Sequence, residues 1–322
     1  MKMSGAQMVC EALIAEGVTT VFGYPGGAIM NVYDAIYKQN GFEHILNRHE
    51  QAAVHAADGY ARATGKVGVA MVTSGPGFTN AVTGLATAYM DSIPLVVISG
   101  QVPLSLIGTD GFQEVDAVGI SRPCTKHNYL VDSIEDLPRI LKEAFYIASS
   151  GRPGPVLVDI PKDITAEYGI FKYPTEVNIP TYRPSYKGND RQIKKAVEAI
   201  IEAKKPLLYL GGGVVLGNAS DLVREFAKMT QIPAVETLMA RGVMGYENPL
   251  LLGMLGMHGN YASNMAMSET DLIISLGARF DDRVTGKLSE FAKYAQIIHI
   301  DIDPANIGKL VDVDFPIVGD VS

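Results

Sequence analysis

Cysteine is scarce in this chain: Cys10 and Cys124 are the only two among 322 residues. Two thiols cannot build a disulfide framework, and neither sits at metal-ligand spacing, so a reducing cytoplasmic setting is expected. Positive charge is short as well, with 27 Lys and Arg against 35 Asp and Glu for a net charge of −8. A general nucleic-acid binder needs a basic face, and that class is excluded. The opening residues, MKMSGAQMVCEALIAEG, place Ala6, Val9 and Leu13 at helical spacing. Glu11 and Glu16 interrupt any signal-peptide core, and the Arg-rich character of a transit peptide is missing. The longest uncharged stretch, Val67 to Met90, is broken by Thr73-Ser74-Gly75-Pro76-Gly77, a turn between a strand and a helix. No membrane span is expected.

What is present is core material: 47% of the residues are hydrophobic and 19% charged, enough for about two domains at roughly 150 residues each. Short apolar runs alternate with amphipathic ones. Strands are expected near Thr19–Phe22, His44–Asn47, Val67–Val72, Pro94–Ser99 and Val156–Ile160, with helices at 5–16, 28–37, 50–63, 78–89 and 134–149. That alternation predicts an α/β domain, a doubly wound parallel sheet, over residues 1–168. Residues 169–188, rich in Pro and Tyr and without periodicity, read as a linker. A second doubly wound parallel-sheet domain is expected over 189–322. It opens on a helix capped by Asn189 or Asp190, with Ile193, Ala196, Val197, Ile200 and Ile201 on one face. Its strands are expected at Leu207–Leu210, Ala234–Glu236, Leu272–Leu276, Ile297–Ile300 and Pro316–Val318.

Two constellations carry chemistry. In the first, Asn47-Arg48-His49-Glu50 puts a glutamate where a strand hands over to a helix. Three loops, Tyr24-Pro25-Gly26-Gly27, Thr73–Gly77 and Gly111-Phe112-Gln113-Glu114, follow strands and should gather at the carboxyl edge of the same sheet, where doubly wound folds bind ligands. Alone, Glu50 would read as a first-turn residue favoured by the helix dipole; the converging loops favour a site. In the second, Gly211-Gly212-Gly213 follows a strand without the spacing of the full dinucleotide fingerprint. Three more loops accompany it: Leu255–Gly259, Gly277–Arg283 and Asp301–Asp303. Arg279 suits a diphosphate and the acidic groups suit ribose hydroxyls. His258 has no His or Cys at ligand spacing, so no metal site is expected on these residues.

The blocks RHEQAAVHAADGYARATGKVG, TSGPGFTNAVTGLATAYMDSIPLVVISGQV, GTDGFQEVDAVGISRPCTKHNYLV, GMLGMHGNYASNMAMSETDLIISLGARFDDRVTGKL and HIDIDPANIGK resemble the catalytic, large subunit of the acetohydroxyacid (acetolactate) synthases. These are thiamine-diphosphate enzymes of branched-chain amino-acid synthesis, and the resemblance runs through nearly all 322 residues. It implies condensation of two pyruvates to 2-acetolactate, or of pyruvate with 2-ketobutyrate, with loss of CO2. It assigns Glu50 to N1′ of the cofactor's aminopyrimidine, Pro76 and Asn80 to the aminopyrimidine pocket, Gly27 and Gln113 to the border of the reacting centre, and Phe112 and Lys162 to the substrate channel. From composition and position alone, Phe112 could equally be a buried aromatic and Lys162 a solvated helix-start charge. Ala52 stands where relatives often carry Gly.

For the second domain the resemblance implies FAD, held by Arg152 from the first domain together with Gly211, Gly212, Gly213, Thr237, Leu238, Leu255, Gly256, Met257, His258, Gly277, Ala278, Arg279, Asp281, Arg283, Asp301, Ile302 and Asp320. It also implies a homodimer sharing its active sites and a small regulatory subunit. A third domain binding the diphosphate through Mg²⁺ is implied too. Its GDG signature is missing, since Gly319-Asp320 is the only Gly-Asp pair. The Mg²⁺ ligands are therefore expected in a C-terminal domain absent here, and the chain alone is expected to be an inactive fragment. The alternatives are another thiamine-diphosphate and flavin enzyme, such as a pyruvate oxidase, or a non-catalytic cofactor-binding piece.

Overall fold

Runs that are almost wholly apolar or small, such as Gly68–Val72, Leu95–Gln101 and Leu272–Leu276, are buried along their whole length. That is the pattern of strands covered by helices on both faces. The computed structural model describes residues 1–322, and contacts divide them into two units, Met1–Tyr182 and Arg183–Ser322.

The first unit contains β1 (Lys2–Ser4), β2 (Thr20–Gly23), β3 (Glu43–Leu46), β4 (Gly68–Val72), β5 (Leu95–Gln101), β6 (His127–Leu130), β7 (Pro155–Pro161) and β8 (Tyr168–Ile170). Six of them form a parallel sheet in the order β3-β2-β4-β5-β7-β6. Its chain order reverses between β2 and β4, the kind of point at whose carboxyl edge doubly wound folds bind ligands. Helix Gly5–Ala15 starts on a capping box, with the Ser4 hydroxyl accepting from Gln7 N and the Gln7 side chain returning to Ser4 N. It buries Met8, Val9, Ala12 and Leu13 in the core.

The second unit contains β9 (Pro206–Leu210), β10 (Ala234–Glu236), β11 (Leu251–Met254), β12 (Leu272–Leu276), β13 (Gln296–Asp301) and β14 (Phe315–Val318). They form a parallel sheet in the order β11-β10-β9-β12-β13-β14. Counted along the unit this is 3-2-1-4-5-6, the dinucleotide-binding order, with its reversal between β9 and β12.

Both expected doubly wound sheets are present, with differences in detail. Strands β1 and β8 form an antiparallel pair that no local pattern announces. The stretch read as a linker begins on β8, and Phe171, Tyr173, Ile179 and Tyr182 pack against the first core. Asn189 is the cap of helix Asp190–Glu202, accepting from Arg191 N and Gln192 N. Of the expected apolar face of that helix, Ala196 is buried, while Ile193, Val197 and Ile201 are exposed. Both cysteines are unpaired, and no helix is long and apolar enough to cross a membrane.

Candidate functional site

At the carboxyl edge of the first sheet the chain turns from β3 into helix Glu50–Thr64, whose N-cap is His49, with Nδ1 accepting from Gln51 N at 3.1 Å. Glu50 is the first helical residue and only 6% exposed. A carboxylate there is favoured by the helix dipole, but burial removes most of its hydration and makes its partner decisive. That partner is Asn80, which donates from Nδ2 to Glu50 Oε2 at 2.9 Å. Asn80 comes from helix Pro76–Asp91, which opens on Pro76 at its first turn. Glycine at 77 leaves the other oxygen accessible, since a Cβ there would stand 3.2 Å from Glu50 Oε1.

Thr73 fastens this loop to the one after β2: Ala28 N donates to Thr73 Oγ1 at 3.2 Å, and a Cβ on Gly26 would fall within 2.8 Å of that same oxygen. Gly26, not Gly27, is therefore the residue fixed by close packing. Gly27 is exposed, with nothing within 4 Å of where a Cβ would lie. The loop after β5 arrives from the other side. Gly75, at φ 55°, packs on the backbone of Gln113, itself at φ 60°. A Cβ at 75 would lie 2.6 Å from Gln113 O and 2.9 Å from its Cα. Phe112 is 87% exposed, which overturns the buried-aromatic reading. Lys162 opens helix Lys162–Ala166 at the carboxyl end of β7 with an exposed side chain. Gly27, Glu50, Pro76, Asn80, Phe112, Gln113 and Lys162 thus share one sheet edge.

Sequence reasoning missed several neighbours. Tyr33 is half-buried and packs with His44, its hydroxyl 3.2 Å from His44 Nε2. Burial, and secondarily the charge of Glu50, push its phenol upward, which places Tyr33 within the electrostatic reach of Glu50. Asp159 on β7 is 1% exposed, and burial pushes its carboxyl up to about 7. Gln101 reaches it with a hydrogen bond of 2.9 Å. No local motif marks either residue. Arg152 lies before β7, at the opposite, amino edge, where its Nε donates to the buried Ser92 hydroxyl at 2.8 Å.

The residues singled out in the second unit line its carboxyl edge in spatial order: Leu255–His258 after β11, Thr237 and Leu238 after β10, Gly211–Gly213 after β9, Gly277–Arg283 after β12, Asp301 and Ile302 at the end of β13, and Asp320 after β14. At the reversal the turns touch through backbone. Gly213 N donates to Gly277 O at 3.0 Å, and a Cβ on Gly213 would stand 2.7 Å from Gly277 Cα. The glycine triplet continues directly into helix Gly212–Leu216. Met257 N donates to Arg283 O at 2.7 Å, joining the outer turn to the Arg279 loop. Arg279 is exposed, with Nη2 3.7 Å from Asp281 Oδ2, while Asp281 caps the next turn through Arg283 N. Asp301 uses its oxygens on Asp303 N and the Asn306 amide, and so shapes its own turn. The Thr237 hydroxyl oxygen is buried at this rim without a hydrogen-bond partner. No group of three or more His, Cys, Asp or Glu is placed to hold a metal ion.

Comparison with known proteins agrees with this division. A profile for the thiamine pyrophosphate enzyme N-terminal TPP binding domain matches residues 3–120, and one for the central domain of such enzymes matches 193–322. The acetolactate synthase large subunit of Haemophilus influenzae is 55% identical over 322 residues, covering 99% of this chain and 56% of its own length. The isozyme 3 large subunit of Escherichia coli is 53% identical over 320 residues, with 99% and 56% covered. A probable acetolactate synthase large subunit of Methanocaldococcus jannaschii is 52% identical over 321 residues, with 99% and 54% covered. The chain thus spans about half the length of the curated relatives it matches. It belongs to the thiamine pyrophosphate enzymes and carries their N-terminal TPP-binding and central domains, in a form similar to acetolactate synthase large subunits.

Proposed function

We propose that this chain supplies the proton-transfer carboxylate and the flavin groove of an acetolactate synthase, which condenses two pyruvates, or pyruvate and 2-ketobutyrate, with loss of CO2. The observation that carries this reading is Glu50: a buried carboxyl at the carboxyl edge of the first sheet, one oxygen held by Asn80 and the other beside Gly77. Thiamine diphosphate, when bound, supplies the electron sink for decarboxylation and carbon–carbon bond formation. Glu50 would hold and exchange a proton with N1′ of its aminopyrimidine, and Asn80 fixes which oxygen faces the ring. The Pro76–Gly77 turn would border the ring, and the backbone of Gly27 and the Gln113 loop would flank the reacting atoms. Phe112 and Lys162, both exposed on this edge, would meet the 2-keto acid, the lysine through its carboxylate.

The second rim fits an adenine dinucleotide, since its strand order, its glycine-to-glycine turn contact and the unsatisfied Thr237 hydroxyl suit a ligand lying across the reversal. There FAD would be held by the turns of Gly211–Gly213, Leu255–His258 and Gly277–Arg283. The residues present do not fit a Mg²⁺ site, and no step is assigned to the metal. A small regulatory subunit and a second copy of the large subunit are the proposed partners, and the cytoplasm the proposed setting. The test is Glu50→Gln in the holoenzyme this chain forms, assayed for acetolactate from pyruvate. Loss of about 10²-fold or more in rate is expected, and unchanged activity would refute the assignment.

A further inference from the structure

Gln101 and Asp159 are a buried polar pair with no part in the proton chemistry just described, at 3% and 1% exposure. Burying an amide and a carboxyl is costly unless both are used. Here every polar atom of the amide is used. Gln101 Oε1 accepts from Val102 N at 2.9 Å, which fixes the amide's orientation. Its Nε2 then has two hydrogens to place, and it donates to Val115 O at 2.9 Å and to Asp159 Oδ2 at 2.9 Å.

Val115 ends the loop that carries Phe112, Gln113 and Glu114. That loop is braced within itself, because the Glu114 carboxylate accepts from Gly108 N and from Gly111 N, the latter at 2.9 Å. It meets the Thr73–Gly77 loop through Gly75 against the Gln113 backbone. Its C-terminal end is gripped from inside the sheet by Gln101, and Gln101 is aimed by Asp159 from the neighbouring strand. In register, Ser99 of β5 sits opposite Asp159 of β7, which brings the side chain of Gln101, two residues on, over the carboxyl group. An apolar pair at these positions would pack the sheet as well but would leave the Val115 carbonyl without this donor.

We infer that Gln101 and Asp159 are positioning residues: Asp159 orients the Gln101 amide, the amide holds the Val115 carbonyl, and the loop thereby presents Gln113 at the edge beside Glu50. The part of this inference that concerns the reaction rests on the thiamine-diphosphate reading of that edge; the part that concerns the loop does not.

The experiment reads both. Phe112, exposed on this loop, is a chymotrypsin site that reports loop opening, and amide hydrogen exchange over residues 108–114 reports it independently. In this chain, Gln101→Leu should raise cleavage after Phe112 and exchange of those amides about tenfold, the equivalent of the lost hydrogen bond to the Val115 carbonyl. Gln101→Glu, which keeps the acceptor for Val102 N but loses both donors, should do the same and serves if the leucine variant fails to fold. Asp159→Leu should loosen the loop, whereas Asp159→Asn, whose Oδ1 can still accept from Gln101, should stay within about twofold of the parent. In the holoenzyme, Gln101→Glu should lower kcat about tenfold with the apparent affinity for thiamine diphosphate unchanged. A Gln101 variant with parental cleavage and exchange would overturn the proposal, as would Asp159→Asn loosening the loop as much as Asp159→Leu. A loosened loop with parental kcat would leave the positioning intact and refute the placement of Gln113 at the reacting centre.

Discussion

The contact between Gly75 and the Gln113 backbone ties two loops of the first unit together, and Gly75→Ala tests it directly. Residue 75 has φ 55° and ψ −117°, a combination open to glycine and strained for any L side chain. Holding alanine there costs about 1–3 kcal/mol. The added Cβ would also stand 2.6 Å from Gln113 O, 2.9 Å from its carbonyl carbon and 2.9 Å from its Cα, all backbone atoms that no rotamer change can move. Pushing them apart costs a further ~1–3 kcal/mol, on the scale of overpacking. The sum, about 2–6 kcal/mol, is a large share of the roughly 5–15 kcal/mol that holds a domain together. For a unit of this size each kcal/mol lowers Tm by about 2–4 °C, so the transition of the first unit should fall by on the order of 10 °C. Calorimetry on the whole chain measures it, with the transition of the second unit as an internal reference. A Tm shift below about 2 °C, with unchanged cleavage after Phe112, would show that the two loops do not meet as described.

Four other outcomes follow from the same geometry. Asn80→Ala removes the one donor that holds Glu50 Oε2, so acetolactate formation by the holoenzyme should fall about 10-fold or more, and steady-state kinetics checks it. Burial pushes His299 down to about 4. The unfolded chain therefore takes up a proton near pH 6.5 that the folded chain refuses until about pH 4, and the second unit should lose up to about 3 kcal/mol between those values. His299→Gln should flatten this acid limb in urea titrations run as a function of pH. Asp159 behaves oppositely: its folded carboxyl titrates near 7 instead of 3.8, so the folded state holds the extra proton and loses up to about 4 kcal/mol as pH rises from 4 to 7. Asp159→Asn should remove that loss, raising first-unit stability relative to the parent at pH 8 but not at pH 4. Glu236, fully buried, accepts from Met244 N at 2.9 Å and from Arg241 Nη1 at 3.1 Å; Glu236→Ala should cost the second unit about 3 kcal/mol in urea unfolding.

Central strands were legible because they are buried on both faces. Leu272–Leu276 and Ala234–Glu236 begin and end at the residues expected of them. Of the edge strands, Glu43–Leu46 and Phe315–Val318 lie within a residue of expectation, and the others were not legible. His127–Leu130 is a half-polar edge strand, and Leu251–Met254 lies at the other sheet's edge. Pairing of Lys2–Ser4 with Tyr168–Ile170 depends on residues far apart in the chain. The loops of both sites were legible through their glycines, since close backbone approach leaves a compositional mark; which glycine bears the contact was not. Gly26 packs on Thr73, whereas Gly27 is open. Tyr33, Ser92, Gln101 and Asp159 were out of reach for a different reason. Each acts through its side chain on residues distant in sequence, and a single polar residue among apolar ones has no spacing to read.

The central claim is that the Glu50 carboxyl exchanges a proton with the aminopyrimidine of thiamine diphosphate. The most direct measurement is the rate of hydrogen–deuterium exchange at C2 of the bound cofactor's thiazolium, followed by NMR in the holoenzyme with Glu50 and with Glu50→Gln. The glutamine keeps the shape and can still accept from Asn80 but cannot exchange a proton, so exchange should slow by about 10²–10⁴-fold. Equal rates in the two proteins, with cofactor bound in both, would contradict the account.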